Sequence, residues 1–330
     1  MIDVFAHIHP PEYSRQVRAI LARRPEDQLL AEWELMLAED PALVDLERRF
    51  HSMDRFEGYR QVLVPGAPPI ETLGDPTEVA RLARELNDEL AALVAQHPGR
   101  FAGFAAALPS SDVNLAVAEL RRARAELGAL GVQLYTNVLG RPLDAPELEP
   151  IFAAAEALQA TIWLHPYRSV HWPDYPRGGE QVSRFNLYWT LGWPYETAAA
   201  MLRLVYSGVI ERHPRLTVIA HHGGGLIPHL AGRLRERPWG PDAPAIMSLA
   251  RSPREYLRSF YVDTAMMGAS HAIRCAIEFF GIEHVMFGSD FGFGNDYLAR
   301  TLIDLVELRL EGEAMRLLVE DNARRVLGLG

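Results

Sequence analysis

Short β-rich runs alternate with longer helical patterns along the whole chain, and this alternation limits the possible folds more than any other feature. The runs predicted as strands are 2–7, 59–64, 101–107, 132–135, 161–165, 217–222, 260–264 and 285–289. The helical patterns between them include 76–96, 112–127, 146–159, 195–211, 270–280 and 297–308. Strands that alternate with helices pair in parallel, and eight such units close into a (β/α)₈ TIM barrel. A doubly wound open sheet is the rival fold, but no GxGxxG motif follows the first strand to support it.

Two stretches interrupt the alternation. Residues 10–55 form a long, mostly helical insertion after the first strand, and residues 166–194 form a loop rich in Trp, Tyr and Pro after the fifth. Both follow the carboxyl end of a strand, where TIM barrels place their active sites. We therefore predict one barrel domain over residues 1–330, in which these long loops shape a substrate pocket or an oligomer contact.

Composition excludes several classes of partner. The formal charge of −10 and the pI of about 5.7 argue against nucleic-acid binding, which depends on clustered Lys and Arg. The first residues resemble a strand instead of a signal peptide, and no apolar run is long enough to cross a membrane. The single cysteine, Cys275, fits a reducing compartment. We expect a cytoplasmic protein with neither a nucleic-acid nor a membrane partner.

Polar residues stand at the ends of four predicted strands. His7 ends the first strand and His165 ends the fifth, in TIWLHPY. His221 and His222 end the sixth in VIAHHGGG, and Asp290 follows the eighth in VMFGSDF. A lone histidine at a strand end is usually structural, but the carboxyl ends of all barrel strands meet at one mouth. Imidazole and carboxylate are ordinary ligands of Zn²⁺, Mn²⁺ and Mg²⁺, so the pattern predicts a metal centre at that mouth.

Five stretches together resemble a known family. They are the first strand with Pro10 after it, WLHPY, AHHGGGLIPHLAGR, GSDF and the ending DNARRVLGL. Their order and strand placement are similar to those of the amidohydrolase-related family of metal-dependent barrels. The resemblance is closest to the branch that contains aminocarboxymuconate-semialdehyde decarboxylase and the aromatic-acid decarboxylases. It extends through nearly the whole chain.

The resemblance implies functions for particular residues. His165 and Asp290 correspond to metal ligands, and Asp290 also to a catalytic residue. The histidine directly before the triple glycine, His222, corresponds to a residue that acts on the substrate or on a metal-bound water. The resemblance implies one divalent ion, for which zinc is our first expectation and manganese or magnesium the alternatives. It also implies a homodimer or a higher homo-oligomer.

The first strand departs from the family pattern. The family usually has DxHxH followed by Pro, and aligning Asp3 and Pro10 places Phe5 on the first histidine and His7 on the second. We expect His7 to be a ligand and Phe5 to be a wall of the pocket that contacts substrate. His9 lies on the same face in a period-two pattern and is a further candidate ligand. Loss of one imidazole is expected to weaken metal binding or to change the metal preference.

The paired histidines raise a question of side-chain direction. Neighbouring strand residues point to opposite faces, so a regular strand allows only one of His221 and His222 to face the barrel axis. The triple glycine favours His222, which leaves His221 with a structural or supporting role. By the resemblance, Arg233 corresponds to a family arginine that binds the substrate carboxylate. The role suits arginine because a guanidinium can donate two parallel hydrogen bonds to a carboxylate. An ordinary solvated position on a helix explains Arg233 equally well.

Aromatic residues concentrate near the same strand ends and suit a flat, unsaturated substrate. They are Trp163, Trp172, Trp189, Trp193, Phe291 and Phe293. Most of these rings could instead belong to the core, and we predict substrate contacts for Trp193 and Phe291. Asp263, near the end of the seventh strand, is a further polar candidate that a hydrogen bond or a helix cap would explain as well.

The sequence supports one preferred function and two rivals. We expect a metal-dependent decarboxylase that acts on a small unsaturated or aromatic carboxylic acid. The first rival keeps the site but performs hydrolysis or hydration of a lactone, ester, amide or unsaturated acid. The second is a barrel that has lost its metal along with the histidine replaced by Phe5, and that binds a small molecule without catalysis.

Overall fold

The computed structural model describes residues 1–24, 29–167, 185, 187–234, 241, 243–292 and 297–330. Eight parallel strands form its central sheet, in chain order and each paired with the next. They are β1 (Ile2–Ile8), β2 (Arg60–Pro65), β3 (Phe101–Ala107), β4 (Gly131–Tyr135), β5 (Thr161–His165), β6 (Val218–Ala220), β7 (Tyr261–Asp263) and β8 (Val285–Met286). A small antiparallel hairpin pairs Asn137–Val138 with Arg141–Pro142.

Backbone hydrogen bonds between the last and first strands close the sheet into a barrel. Val4 N donates to Phe287 O at 2.9 Å, and His7 N donates to Phe291 O at 2.8 Å. Ala6 and Phe291 form a parallel bridge just beyond β8. The fold is therefore a (β/α)₈ TIM barrel, as the alternation predicts.

Helices surround the barrel and connect its strands. Their bounds are Pro11–Leu21, Leu29–Glu39, Leu46–Met53, Pro76–Gln96, Val113–Ala125, Glu149–Ala157, Trp193–Tyr206, Val209–Arg212, Ile227–Leu230, Ala243–Met247, Pro253–Leu257, Ser270–Phe280, Tyr297–Leu308, Gly312–Arg316 and Asn322–Leu327. Several begin at an Asp whose side chain accepts the first free backbone N–H groups, as Asp75 does from Thr77 and Glu78. None of the helices in the described ranges is long and apolar enough to cross a membrane.

The apolar core has two parts. The larger cluster lies between the strands and the surrounding helices. The smaller one takes residues from six strands and fills the barrel interior; it includes Ile2, Val4, Phe5, Val62, Val64, Ala105, Trp163, Ile219 and Met286. Trp163 is fully buried there, and its Nε1 donates to Val4 O at 2.7 Å. The barrel is therefore packed solid below its mouth, so chemistry can occur only at the strand ends.

A buried arginine ties the insertion after β1 to the barrel. Arg49, on the helix Leu46–Met53, is fully buried. Its Nη1 donates to His7 O at 2.8 Å and its Nε to Gln61 Oε1 at 2.8 Å. The guanidinium also lies 4.7 Å from the centroid of the Phe291 ring. One cation therefore holds the ends of β1 and β8 and the start of β2 in fixed relative positions.

The observed elements differ from the predicted ones mainly at the strand ends near the barrel mouth. The sixth strand was predicted to run to His222, but β6 ends at Ala220. The eighth was predicted to run to Ser289, but β8 ends at Met286. His222 and Asp290 have φ angles of 54° and 59°, a left-handed conformation that no strand can contain. The predicted helix 195–211 is two helices, because the chain turns at Gly208 with φ 78°.

Candidate metal centre and active site

Five polar side chains from four strand ends meet at the carboxyl mouth of the barrel. They are His7 at the end of β1, His165 at the end of β5, His221 and His222 after β6, and Asp290 after β8. Their potential ligand atoms form two overlapping groups, each with all atoms within 4.8 Å of one another. One group joins His7, His165 and His221; the other joins His221, His222 and Asp290. All five residues are buried.

Asp290 is the centre of this cluster. Its Oδ1 lies 3.3 Å from Nε2 of His7 and 3.3 Å from Nε2 of His221. Its Oδ2 lies 3.5 Å from Nε2 of His222. Burial alone would raise the pKa of the Asp290 carboxyl, but the imidazoles of His221, His222 and His7 outweigh it and hold that pKa well below its usual value. The cluster therefore contains a buried carboxylate anion.

The rings of His7 and His165 are oriented by backbone carbonyls. His7 Nδ1 lies 3.1 Å from Pro65 O, and His165 Nδ1 lies 2.7 Å from Pro166 O. A carbonyl oxygen only accepts hydrogen bonds, so each Nδ1 carries a proton and each ring turns Nε2 towards the cluster. Burial, followed by the three neighbouring histidines, lowers the pKa of His165 well below its usual value, so its ring is neutral.

These donors fit a divalent cation. His165 Nε2 is buried and has no hydrogen-bond partner among the described residues. Histidine ligands of metals usually donate their other ring N–H to a carbonyl or a carboxylate, as both His7 and His165 do. Neutral imidazoles and an ionised carboxylate that converge on one point are the donor set of zinc and related ions.

His221 is held from two sides. Its Nδ1 hydrogen-bonds the carboxylate of Asp263 at the end of β7, and its ring stacks on Phe5 with centroids 3.8 Å apart. Burial lowers the pKa of His221, but the carboxylates of Asp263 and Asp290 outweigh it and raise that pKa to about 9. Asp263 is itself fixed, since its Oδ1 accepts from the backbone N–H groups of Gly223 and Ala265, each at 3.1 Å.

The end of β6 allows both His221 and His222 to face the cluster. A regular strand through His222 was predicted to turn only one of them inward, but β6 ends before His221 and the chain turns left-handed at His222. Both imidazoles consequently reach Asp290. The turn depends on glycine at Gly225, where φ is 62° and a Cβ atom would lie 2.3 Å from Pro194 O. The position of Asp263 near a strand end predicted a hydrogen-bond partner for it, but only the structure identifies that partner as His221.

The structure places Phe5 within the cluster and His9 outside it. The Phe5 ring lies 5.7 Å from the His7 ring and 6.1 Å from the His165 ring, so it walls the site from below. His9 follows the end of β1 and belongs to neither group of ligand atoms in the described part of the chain. Its ring instead stacks on Tyr13 at 5.9 Å, over Gly66. β1 therefore contributes one imidazole, His7, to the cluster.

Trp193 contacts the histidines on the open side of the site. Its ring centroid lies 5.4 Å from that of His165 and 5.9 Å from that of His222. Its Nε1 is buried and has no hydrogen-bond partner among the described residues. Trp189 lies 6.2 Å from Trp193 and is more exposed. Trp193 is thus a flat surface beside the cluster, with an N–H donor that no described residue accepts.

Phe291 and Arg233 have different surroundings. Phe291 is buried beneath the guanidinium of Arg49. Arg233 is exposed on the 3₁₀ turn Ala231–Arg233. Trp172 and Phe293 lie outside the described residues. Of the predicted aromatic contacts, Phe5 and Trp193 are the two that the structure places against the imidazole cluster.

Comparison with known proteins agrees with this geometry. The sequence profile described as amidohydrolase matches residues 4–329. The chain belongs to the amidohydrolase family. This amidohydrolase is 35% identical over 220 residues to the 2-amino-3-carboxymuconate-6-semialdehyde decarboxylase of Dictyostelium discoideum, a match that covers 66% of this chain and 58% of the relative. It is 31% identical over 265 residues to the gamma-resorcylate decarboxylase of a Polaromonas species, covering 77% of this chain and 79% of that one.

A solved structure is similar over the full length of the chain. The crystal structure of a 2,6-dihydroxybenzoate decarboxylase in complex with 2,6-dihydroxybenzoate superposes with a TM-score of 0.79. The two sequences are 25% identical, and the match covers 99% of each chain. The family predicted from the five sequence stretches is therefore confirmed, and so is its barrel fold.

Proposed function

We propose that this amidohydrolase is a metal-dependent decarboxylase that releases CO₂ from a small aromatic carboxylic acid. The observation that carries the proposal is the convergence of two carbonyl-oriented imidazoles and the Asp290 carboxylate at the barrel mouth. The relatives that match much of the chain are named as decarboxylases, which favours CO₂ release over the hydrolysis or hydration that the same site could perform.

His7, His165 and Asp290 would hold the ion. The first two offer the Nε2 atoms of rings that are already held through Nδ1, and the third offers an ionised carboxylate. We propose zinc as the ion because imidazole-rich sites suit it, with manganese as the alternative to test. When bound, a divalent ion supplies positive charge that stabilises negative charge on the substrate oxygens while the C–C bond breaks.

Trp193 and Arg233 would orient the substrate. The indole ring beside His165 and His222 provides a flat apolar surface for an aromatic ring, and its free Nε1 can donate a hydrogen bond to a substituent. Arg233 would bind the carboxylate with two parallel hydrogen bonds. Phe5 would close the bottom of the pocket and exclude water from the reacting atoms, which strengthens every electrostatic interaction there.

His222 would move the proton. When the bond to the carboxylate breaks, CO₂ leaves and its electron pair stays on the ring carbon, which then takes a proton from His222. Water restores the proton to the imidazole. Burial, together with the neighbouring His221, lowers the pKa of His222, so its protonated ring is a stronger acid than free imidazole and releases the proton readily.

The test is CO₂ release by the purified protein after it has been loaded with zinc or with manganese. Substrates would include 2,6-dihydroxybenzoate, related hydroxybenzoates and aminocarboxymuconate semialdehyde. We expect one equivalent of CO₂ per molecule of decarboxylated product, and no release from the Asp290→Asn variant. Formation of hydrolysis or hydration products without CO₂ would contradict the proposal, as would inactivity of both metal-loaded forms towards every acid in the panel.

We also propose that the protein works as a homodimer in the cytoplasm. The exposed side chains of Leu191 and Tyr195 flank the start of the helix that carries Trp193, where an interface would also cover the site. The lone cysteine, Cys275, suits a reducing compartment. Sedimentation equilibrium would test the dimer, and a monomer at micromolar concentration would contradict it. Cell fractionation would test the location.

A further inference from the structure

β1 supplies only one metal-binding side chain to the cluster. His7 turns Nε2 inward, while Phe5, two residues earlier, fills its place in the cluster with a ring that has no donor atom. Phe5 packs against His165 as well as His7, so it occupies space between groups that converge on one point. A ligand set of His7, His165 and Asp290 therefore has three protein donors, and an ion that accepts five or six ligands has room for a fourth beside substrate or water.

His221 lies where a further donor would be needed. Its ligand atom is within 4.8 Å of those of both His7 and His165. Its Nε2 is also 3.3 Å from Asp290 Oδ1, the same oxygen that lies 3.3 Å from His7 Nε2. One cation could therefore contact all three atoms, with its charge in place of the Nε2 proton that otherwise joins His221 to Asp290.

The outer contacts of His221 are those of a metal-bound histidine. Its Nδ1 donates to the carboxylate of Asp263, so the ring presents Nε2 to the cluster, as the rings of His7 and His165 do. A carboxylate on the outer nitrogen fixes the ring and makes the inner nitrogen more basic. The stacked ring of Phe5, tilted by only 11°, fixes the plane of the imidazole.

We propose that His221 binds the ion directly through Nε2 and takes the ligand position that Phe5 leaves without a donor on β1. The set then has three imidazole nitrogens and one carboxylate oxygen, from His7, His165, His221 and Asp290. Asp263 is a positioning residue for His221. The inference rests on the ion of the proposed function but not on the reaction that the ion assists.

The two adjacent histidines then have different functions. His222 Nε2 faces the other carboxylate oxygen, Oδ2 of Asp290, at 3.5 Å, and its ring lies beside Trp193 on the open side of the site. His221 is fully buried between Phe5 and Asp263 and has no access to a substrate. The left-handed turn at His222 thus directs two consecutive side chains to different functions, His221 to the metal ion and His222 to proton transfer.

The decisive experiment counts nitrogens in the unaltered protein. The full chain would be loaded with Mn²⁺, with histidine labelled with either ¹⁴N or ¹⁵N, and pulsed electron paramagnetic resonance would resolve the directly bound imidazoles. We expect three. A count of two would overturn the proposal without any substitution that could disturb folding. Because no substrate is present, this result is separate from success or failure of CO₂ release.

Variants test which residue supplies the third nitrogen. His221→Ala is expected to show two couplings and to bind Mn²⁺ and Zn²⁺ at least about 100-fold more weakly, while Asp263→Asn weakens binding by about 10- to 100-fold. His213→Ala is the matched control. That imidazole also contacts carboxylates, those of Glu149 and Glu156, but lies outside the cluster, so its variant should bind metal as the native protein does.

The exchange between the two positions can be tested directly. Adding Phe5→His to His221→Ala should restore the third nitrogen coupling, because the ring at position 5 lies directly against the position of the His221 imidazole. A double variant that still shows two couplings would contradict the shared position. Native metal affinity in His221→Ala, with three couplings retained, would overturn the role of His221 itself.

Discussion

The ring of Phe5 stacks on the imidazole of His221, with centroids 3.8 Å and planes 11° apart, at the bottom of a cluster of four histidines and one aspartate. An apolar ring at this point makes the site drier and restricts the motion of the imidazole. Because His221 Nδ1 is hydrogen-bonded to the Asp263 carboxylate, the imidazole ring has little freedom to rotate. Rigid support of this kind keeps metal ligands and catalytic groups close to their productive geometry.

Asp290→Asn should abolish both metal binding and decarboxylation. The substitution keeps the shape of the side chain but removes the anion that faces three imidazoles. We expect metal content near background and CO₂ release reduced by roughly 10³-fold or more, because charge stabilisation at the reacting atoms is lost. Metal analysis of the dialysed protein and single-turnover CO₂ measurements check the result. Full metal content with full activity would contradict a central role for this carboxylate.

His222→Gln should separate chemistry from metal binding. The amide cannot carry a proton to carbon, so kcat should fall by about 10²- to 10⁴-fold, whereas the metal content should stay at the native level. Retention of metal distinguishes this variant from His221→Ala. Loss of metal in His222→Gln would show that His222 is a ligand and not a proton carrier.

Removal of the metal should destabilise the folded protein. An ion that binds only the native state stabilises it by RT ln(1 + [L]/Kd), about 2.7 kcal/mol at a concentration 100 times Kd. Treatment with a chelator should therefore lower the midpoint of thermal unfolding, and added Zn²⁺ or Mn²⁺ should restore it in proportion to the logarithm of concentration. Calorimetry measures the shift. The Asp290→Asn protein is the control and should not respond to metal.

Arg49→Met should lower the free energy of unfolding by about 3 kcal/mol, because it leaves the His7 carbonyl and the Gln61 side chain without their buried donor. Arg49→Lys should recover little, since an ammonium group cannot reach both acceptors at once. The adjacent Arg48 is exposed and supplies the control: Arg48→Met should change stability by no more than about 0.5 kcal/mol. Urea unfolding measures all three, and equal effects at the two positions would contradict a structural role for Arg49.

Gly225→Ala should disturb the turn that carries His222. The backbone at Gly225, with φ 62° and ψ −126°, lies in a region that glycine adopts far more readily than alanine, and an alanine Cβ atom would also lie 2.3 Å from Pro194 O. Gly58→Ala is the matched control, with a similar φ of 69° but no atom within 4 Å of the added Cβ. We expect Gly225→Ala to be more destabilising than Gly58→Ala by about 1–3 kcal/mol, the usual cost of overpacking. Equal losses of stability would mean that the turn yields to accommodate the methyl group.

The barrel architecture of this protein can be predicted from its amino-acid sequence alone. Alternation of strands and helices is a local property of the chain, and eight repeats of it allow few closed arrangements other than a TIM barrel. The same logic predicted that His7, His165 and Asp290 lie at one mouth, because the carboxyl ends of parallel barrel strands meet there. In the structure His7 contacts Asp290, and the ligand atoms of His7 and His165 lie within 4.8 Å of each other. Strands β3 and β5 and the helices Pro76–Gln96, Ser270–Phe280 and Tyr297–Leu308 have the bounds that their patterns predicted.

The directions of the remaining histidine side chains depend on contacts between segments that are distant in sequence. Both His221 and His222 reach Asp290 because β6 ends at Ala220, and the turn that follows contacts Asp263 and Pro194, which are distant in sequence. The separation of His9 from the cluster depends on how the chain leaves β1, where His9 N bonds Leu43 O in the insertion. Periodicity describes neighbours along the chain, but the direction of a side chain beyond the end of a strand is fixed by packing and hydrogen bonds between remote segments.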